Sequence, residues 1–97
     1  MAQVIYATRA LDDLERLIRH LVAENPGAAL AAALAIRPAV ETLAAHPLIG
    51  RPRAEGLHEL VISFGKTGYV ALYRQVPARD EVRVLGLRHQ HELDYPV

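Results

Sequence analysis

The 97-residue chain has no cysteine and no tryptophan, and it has only one phenylalanine and one methionine. The lack of cysteine excludes a disulfide-stapled scaffold, a thiolate zinc site and a cysteine nucleophile. Neither sign of charge is in excess, because eleven Lys and Arg balance eleven Asp and Glu. A neutral chain does not hold nucleic acid by bulk charge, so we expect no sequence-specific DNA binding by this chain alone.

Export and membrane signals are also scarce. The first six residues have no basic region and no apolar core, and the longest apolar run, residues 28–36, is far shorter than the ~20 residues of a membrane span. We therefore expect a cytoplasmic protein without membrane contact, folded as one domain over residues 1–97. What the chain does have is a hydrophobic fraction of 52% at zero net charge. That combination favours self-association and indicates a protein that is normally held by a partner.

The N-terminal third predicts a strand followed by a helix. Residues 3–6 are rich in β-formers, and Thr8 is a suitable N-cap for a helix that runs to Glu24. Asp12 and Asp13 are expected on the polar side of this helix, opposite the apolar stripe. The stripe recurs every three or four residues, at Leu11, Leu14, Leu17, Ile18, Leu21 and Val22.

A second, alanine-rich helix is predicted over residues 28–45, after a turn at residues 25–27. Pro38 would lose a backbone hydrogen bond there, so we expect a kink or two shorter helices. Leu30 and Leu34 form a second apolar strip, which either covers the first helix or meets a partner. The main apolar face comprises Ala33, Ile36, Val40, Leu43 and Ala44.

From residue 57 onwards the apolar period changes from 3.6 to 2, and strands are predicted at residues 57–63, 69–76 and 82–88. Gly65 and Gly68 are expected to supply positive φ angles in the turn between the first two. The short connections indicate antiparallel pairing. The predicted fold class is α+β with two layers, in the order β-α-α-β-β-β, with a helical hairpin on one face of an antiparallel sheet.

Basic side chains are only slightly more numerous in the C-terminal half, so their placement matters more than their number. If they gather on the open face of the sheet, they form a patch able to bind a phosphate backbone or an acidic protein. The alternative is a solvated strand face on which Glu59, Glu81 and Glu92 interrupt the positive charge. The basic residues in question are Arg51, Arg53, Lys66, Arg74, Arg83 and Arg88.

The run from Arg88 to Glu92 has the composition of a phosphodiester-cleaving site, with a cation for phosphate and imidazoles for proton transfer. His89 and His91 are also spaced to share a metal with Glu92. No further well-placed ligand and no HExxH motif accompanies them, so we expect no metal site. No cofactor-binding motif is present either, and we expect no cofactor.

Four segments in this order and spacing resemble the RelE/ParE superfamily of type II toxin–antitoxin toxins. They are Pro-Leu-Ile-Gly-Arg-Pro-Arg at 47–53, Leu-His-Glu-Leu-Val-Ile at 57–62, Gly-Tyr-Val-Ala-Leu-Tyr-Arg at 68–74 and Val-Leu-Gly-Leu-Arg-His-Gln at 84–90. The resemblance implies a growth-inhibiting toxin whose partner is a small antitoxin, the C-terminal segment of which wraps and blocks it. We expect that antitoxin to cover Leu30 and Leu34.

The superfamily contains one branch that cleaves mRNA on the ribosome and another that poisons DNA gyrase without nuclease chemistry. The cleaving branch often reads Tyr-Arg-x-x-Tyr in the middle strand, whereas here Val70 stands in place of that arginine. Valine cannot neutralise the charge of a phosphorane, and the zero net charge suits a ribosome binder poorly. Both departures favour the ParE-like branch, with no catalytic residues.

In the ParE-like interpretation, the residues expected to contact gyrase are Arg51, Arg53, Lys66, Arg83 and Arg88. One alternative is a RelE-like, ribosome-dependent mRNA endoribonuclease, whose catalytic residues would be Arg74, Arg88, His89 and Tyr95. Another is a non-toxic module that only binds an antitoxin.

Overall fold

The computed structural model describes residues 1–92, 94 and 95, and it confirms the predicted α+β, two-layer architecture. The two long helices pack against each other and against one face of a single sheet. Its strand order is β1-β5-β4-β3-β2, with β1 parallel to β5 and all other pairs antiparallel. The elements are β1 (Gln3–Tyr6), α1 (Thr8–Glu24), α2 (Pro26–Glu41), β2 (Arg51–Pro52), β3 (Leu57–Phe64), β4 (Thr67–Val76) and β5 (Glu81–His89).

Helix α1 differs from its sequence pattern at both the cap and the buried face. Thr8 is the first helical residue rather than the cap, and Ala7 in the cap position makes no side-chain bond. Asp13 is buried rather than exposed, whereas Leu11 is 50% exposed. The reason is that the face meeting the sheet is centred on Ala10, Asp13 and Leu17, so the apolar stripe lies partly to one side of it.

Helix α2 runs through Pro38 as one helix, so of the two expected outcomes, a kink or two shorter helices, the second is wrong. Pro38 lies in the last turn, and the carbonyl that loses its donor belongs to Leu34, whose side chain is 66% exposed. Water can hydrate a carbonyl on that face. Leu30 is 64% exposed, so the interpretation in which both leucines pack on the first helix is wrong. The face that packs inward comprises Ala29, Ala32, Ile36 and Val40.

Together with a short 3-10 turn at Thr42–Ala44, helix α2 forms an apolar stretch, Pro26–Ala44, whose mean hydropathy reaches 1.3. By length and composition alone this stretch could cross a membrane, which the longest uninterrupted apolar run did not indicate. Buried helices of globular cores have the same length and composition, and this helix packs on α1 and β3. The stretch is therefore weak support for a membrane span.

The turn between β3 and β4 uses one of its two glycines as expected. Gly65 has a φ of +58°, but Gly68 does not adopt a positive φ. A Cβ at Gly68 would lie 2.8 Å from the Ile62 carbonyl oxygen, so this glycine is required by the close approach of two strands. Tyr69, Ala71 and Tyr73 of β4 then face the helices, which leaves Val70, Leu72 and Arg74 on the open face of the sheet.

Candidate functional site

A β-bulge in β5 decides which side chains reach the open face. Tyr73 pairs with Val84 but Leu72 pairs with Gly86, so Leu85 is an extra residue on β5. Before the bulge Val84 is buried against the helices, and after it Leu87 is. Arg88 consequently points to the open face, where unbroken alternation from Val84 would have directed it into the core.

The open face holds a cluster of three arginines around one carboxylate, that of Glu59 in β3. Arg51 Nη2 lies 3.3 Å from Glu59 Oε1, and Arg53 Nη1 lies 3.3 Å from Oε2. Arg88 Nη2 lies 3.6 Å from Oε2, and the Tyr95 hydroxyl donates a hydrogen bond of 2.6 Å to the same oxygen. The Glu59 side chain is only 8% exposed. We call Arg51, Arg53, Glu59, Arg88 and Tyr95 the arginine cluster.

Arg88 also contacts Glu92 and Tyr95 in the segment that follows β5. Its guanidinium lies 5.3 Å from the centre of the Tyr95 ring, and its Nη1 donates to the carbonyl of Glu92 at 2.9 Å. Burial raises the pKa of the Tyr95 phenol, and the hydrogen bond to Glu59 and the charge of that carboxylate raise it further. Tyr95 therefore stays protonated and acts as a donor to Glu59 at neutral pH.

The pKa of Glu59 gives a pH dependence with a definite sign. Burial raises this pKa, but the hydrogen bond from Tyr95 and the charges of Arg53, Arg88 and Arg51 outweigh burial and lower it overall. A lowered folded-state pKa contributes stability that is complete above the ordinary glutamate value of about 4.3. We expect that contribution to disappear as the pH falls through the lower folded value. Urea unfolding at successive pH values should show a steeper acid loss of stability for the wild type than for Glu59→Gln, and equal slopes would contradict this.

Arg74 and Arg83 lie on the same face but outside the arginine cluster. They are directly opposite each other across β4 and β5, an unfavourable pairing of like charges. The Glu81 carboxylate offsets the charge of Arg83, because its Oε2 lies 3.3 Å from Arg83 Nε. Arg74 Nη2 donates a hydrogen bond to the Glu55 carbonyl at 3.4 Å. Arg74 is four residues along β4 from Val70, the partner of Arg88, which places it about 13 Å away along the strand.

His89 lies on the helix side of the sheet, not on the open face. Its ring makes an edge contact with Tyr69 at 5.5 Å between centres. Nε2 lies 2.6 Å from Thr67 Oγ1, and Nδ1 accepts a 3.1 Å bond from the His91 backbone N–H. Burial lowers the pKa of His89, and the charge of His91 lowers it further, so the neutral form is favoured. Both ring nitrogens are therefore engaged in structural bonds.

The residues that a nuclease would need therefore do not all lie together in the structure. Arg88 and Tyr95 are adjacent on the open face, Arg74 is at the distant end of β4, and His89 is on the other side of the sheet. Of the residues expected to contact gyrase, Arg51, Arg53 and Arg88 converge. Arg83 lies further along the same face, and Lys66 is exposed at the β3–β4 turn, seven residues from Glu59 and on the order of 20 Å away.

The two exposed leucines of α2 lie beside an apolar groove on the helical layer. Leu30 and Leu34 are one helical turn apart. Ala33 and Arg37 of the same helix line a groove of about 490 Å³ between α1, α2 and β1. Its other walls include Val4, Tyr6, Leu11, Leu14 and Ile18. Among the residues that the structure describes, no three His, Asp or Glu side chains are grouped to hold a metal ion.

Sequence reasoning missed three residues that build the site. Glu59 was grouped with solvated charges, although it is the centre of the arginine cluster. Asp13 was placed on the polar side of α1, but its Oδ2 accepts a 3.0 Å bond from the Leu87 N–H, next to the bulge. Gly50 has no signal of its own in the sequence, yet its N–H donates to the buried Tyr73 hydroxyl at 2.8 Å. The bulge in β5, in contrast, could have been recognised from the sequence, because the alternation of apolar residues changes phase at Leu85.

Comparison with known proteins supports one family over nearly the whole chain. A sequence model described as the ParE toxin of the type II toxin–antitoxin system parDE matches residues 4–94. The chain is 39% identical over 92 residues to Toxin RelE3 of Caulobacter vibrioides, covering 95% of this chain and 98% of that protein. It superposes with a TM-score of 0.76 and 26% identity on a chain of the chromosomal ParDE TA system from P. aeruginosa, covering 92% and 96% of the two chains. This chain therefore belongs to the ParE toxin family of type II toxin–antitoxin systems, within the RelE/ParE superfamily.

Proposed function

We propose that this toxin arrests bacterial growth by binding DNA gyrase in the cytoplasm, without cleaving a substrate, and that the basic open face makes the contact. The observation that carries the proposal is the division of the nuclease set between two faces of the sheet. His89 is engaged by Thr67 and the His91 amide on the helix side, whereas Arg88 lies on the open face. A general acid or base must lie within hydrogen-bond reach of the scissile group that Arg88 would hold.

Two further features support a protein target. Val70 occupies the open-face position next to Arg88, where a cleaving relative would carry an arginine, and it is buried. The three converging guanidiniums are already organised around a carboxylate, that of Glu59, which is a protein anion rather than a phosphate. Arginine at a well-ordered interface is typical of protein recognition sites.

Ribosome-dependent mRNA cleavage is the second candidate, and two observations favour it. One relative bears the name Toxin RelE3, and Arg88 and Tyr95 lie together on the open face. The third candidate, a module that binds an antitoxin without toxicity, differs from both because inducing this chain alone would leave growth unchanged.

One toxin preparation can decide between the targets. We expect inhibition of gyrase supercoiling at micromolar toxin and no cleavage of ribosome-bound mRNA. The double variant Arg51→Ala/Arg53→Ala should lose inhibition, whereas Arg19→Ala, which removes one exposed charge from the helical layer, should retain it. Cleavage of mRNA that is abolished by Arg88→Ala would overturn the gyrase proposal, and harmless induction of the chain would overturn both toxin mechanisms.

We also propose that the cognate antitoxin binds the apolar face of α2 that Leu30 and Leu34 form. The exposure of both leucines and the adjoining groove provide a surface of the kind that helix-in-groove recognition uses. Replacing both with Asp is expected to weaken the antitoxin complex by at least about a hundredfold, because two carboxylates would be buried unpaired. Titration calorimetry measures the loss, and circular dichroism checks that the isolated toxin stays folded.

A matched control for this prediction is Leu48→Asp. Leu48 is 64% exposed, as Leu30 is, but it belongs to the loop before β2. Its substitution should leave the affinity for the antitoxin unchanged. An unaltered complex in the Leu30→Asp/Leu34→Asp variant would place the antitoxin elsewhere.

A further inference from the structure

The open face is strongly polarised in a chain that is neutral overall. Five arginines lie on or beside it (Arg51, Arg53, Arg74, Arg83 and Arg88), together with two strand glutamates, Glu59 and Glu81. These residues carry a formal charge of +3, so the remainder of the 97-residue chain carries −3. Both glutamates are already ion-paired within the chain. The excess positive charge is therefore available to a partner.

The arginine cluster has donors to spare. Arg51 and Arg53 each place a single nitrogen on Glu59, and their side chains remain 64% and 46% exposed. A guanidinium has five N–H donors in a planar fork that matches a carboxylate. Arg51 and Arg53 can thus receive a second carboxylate from solvent, while Arg88, at 15% exposure, forms the floor of the site.

The group that the arginine cluster already holds indicates which class of anion it binds. Its occupant is a carboxylate, held by a charge-assisted hydrogen bond from the Tyr95 hydroxyl and by the three guanidiniums. Val61, half exposed, lies two residues from Glu59 on the same face, and Leu72 pairs with Glu59 across the strands. Apolar side chains beside guanidiniums fit an extended peptide that alternates acidic and apolar residues. Single-stranded nucleic acids are commonly held by base stacking on aromatic rings as well as by phosphate contacts, and Arg88 already lies against the Tyr95 ring.

We propose that the arginine cluster binds carboxylate side chains of an acidic segment in a partner protein, and that Glu59 occupies the cluster when the partner is absent. The partner's carboxylates then compete with Glu59 for Arg51 and Arg53. The inference rests on the proposed target-binding role of the same face, and it specifies the chemistry of what that face recognises.

The competition makes a distinctive prediction for Glu59→Gln. Glutamine retains the shape of the side chain but removes the internal anion, so the variant should bind an acidic peptide more tightly, by about tenfold, the usual effect of one charge-assisted contact. A carboxylate with only a structural role would give weaker binding on removal. The probe is a fluorescein-labelled peptide of about ten residues alternating Glu and Val, followed by fluorescence anisotropy with the full chain.

Four comparisons accompany this measurement. The peptide with Gln in place of Glu should bind at least about tenfold more weakly, and higher salt should weaken the acidic peptide. Arg51→Ala/Arg53→Ala should lose at least about tenfold in affinity, whereas Arg19→Ala should not change it. Because Arg51 and Arg53 are exposed, the double variant should fold, and it still tests the proposal if Glu59→Gln fails to fold.

The proposal is overturned if Glu59→Gln folds and binds the acidic peptide no more tightly than wild type. It is equally overturned if the Arg51→Ala/Arg53→Ala variant binds as wild type does, or if a single-stranded RNA of the same length binds better than the peptide. Supercoiling assays on the same preparations separate the two proposals. Peptide binding by a toxin that leaves gyrase active would refute the gyrase target and retain the acidic-segment inference.

Discussion

Replacing Gly50 with alanine is expected to cost at least about 3 kcal/mol of folding free energy, near the upper end of overpacking effects. A Cβ at this position would lie 2.7 Å from the Glu59 carbonyl oxygen and 2.7 Å from both the Cε1 and the hydroxyl of Tyr73. The displacement would also break the 2.8 Å bond from the Gly50 N–H to that hydroxyl. Since Tyr73 is fully buried, neither neighbour has space to move.

Gly50→Ala is also expected to disturb the arginine cluster, because Gly50 immediately precedes Arg51 and β2. Moving this segment would pull Arg51 and Arg53 away from Glu59, so Gly50→Ala should also lose whatever those guanidiniums bind. Thermal unfolding should show a midpoint lowered by about 12 °C or more, given 4–8 °C per kcal/mol for a domain of this size.

Gly27→Ala is the matched control. Gly27 lies in the first turn of α2, and the nearest atom to its added Cβ is Asn25 Oδ1 at 3.4 Å. Alanine is the better helix former by up to about 1 kcal/mol, so stability should stay the same or rise. A Gly50→Ala protein as stable as wild type would show that the loop before β2 is free to move away from Tyr73.

Much of the fold follows from local patterns. The alternation of β3, β4 and β5 and the two helices could be read directly, because each element buries one face and its period records that. The parallel pairing of β1 with β5 could not, since a four-residue strand carries no information about which edge it joins. The passage of α2 through Pro38 is consistent with the exposure of the helix face around Leu34, which is a tertiary property.

The site was less accessible from sequence because its central residue, Glu59, is a charged side chain that becomes buried. Glu59 looks like any solvated strand residue until Arg53, Arg88 and Tyr95 are placed around it, and Tyr95 is 36 residues away in the chain. The side on which Arg88 emerges is set by a single extra residue, Leu85. A one-residue shift in strand phase moves every later side chain to the opposite face, so without the bulge Arg88 and His89 would exchange sides.

Asp13 is expected to hold that bulge in register, which makes Asp13→Ala the second substitution with a large effect. The Asp13 carboxylate is buried, and its Oδ2 accepts a 3.0 Å bond from the Leu87 N–H, one residue before Arg88. Alanine would leave this amide buried without a partner, at a cost of about 2–3 kcal/mol. Asp12→Ala, on the exposed neighbouring position, should change stability by less than about 0.5 kcal/mol.

Asp13→Asn separates the hydrogen bond from the charge. Asparagine keeps an acceptor oxygen for the Leu87 N–H, so most of the stability should be retained, whereas alanine removes the acceptor altogether. Hydrogen exchange at the Leu87 amide provides the local measurement: exchange should accelerate strongly in Asp13→Ala and little in Asp13→Asn. If the Leu87 amide stays protected in Asp13→Ala, the strand pairing of β5 alone maintains the bulge, and Arg88 reaches the arginine cluster without help from helix α1.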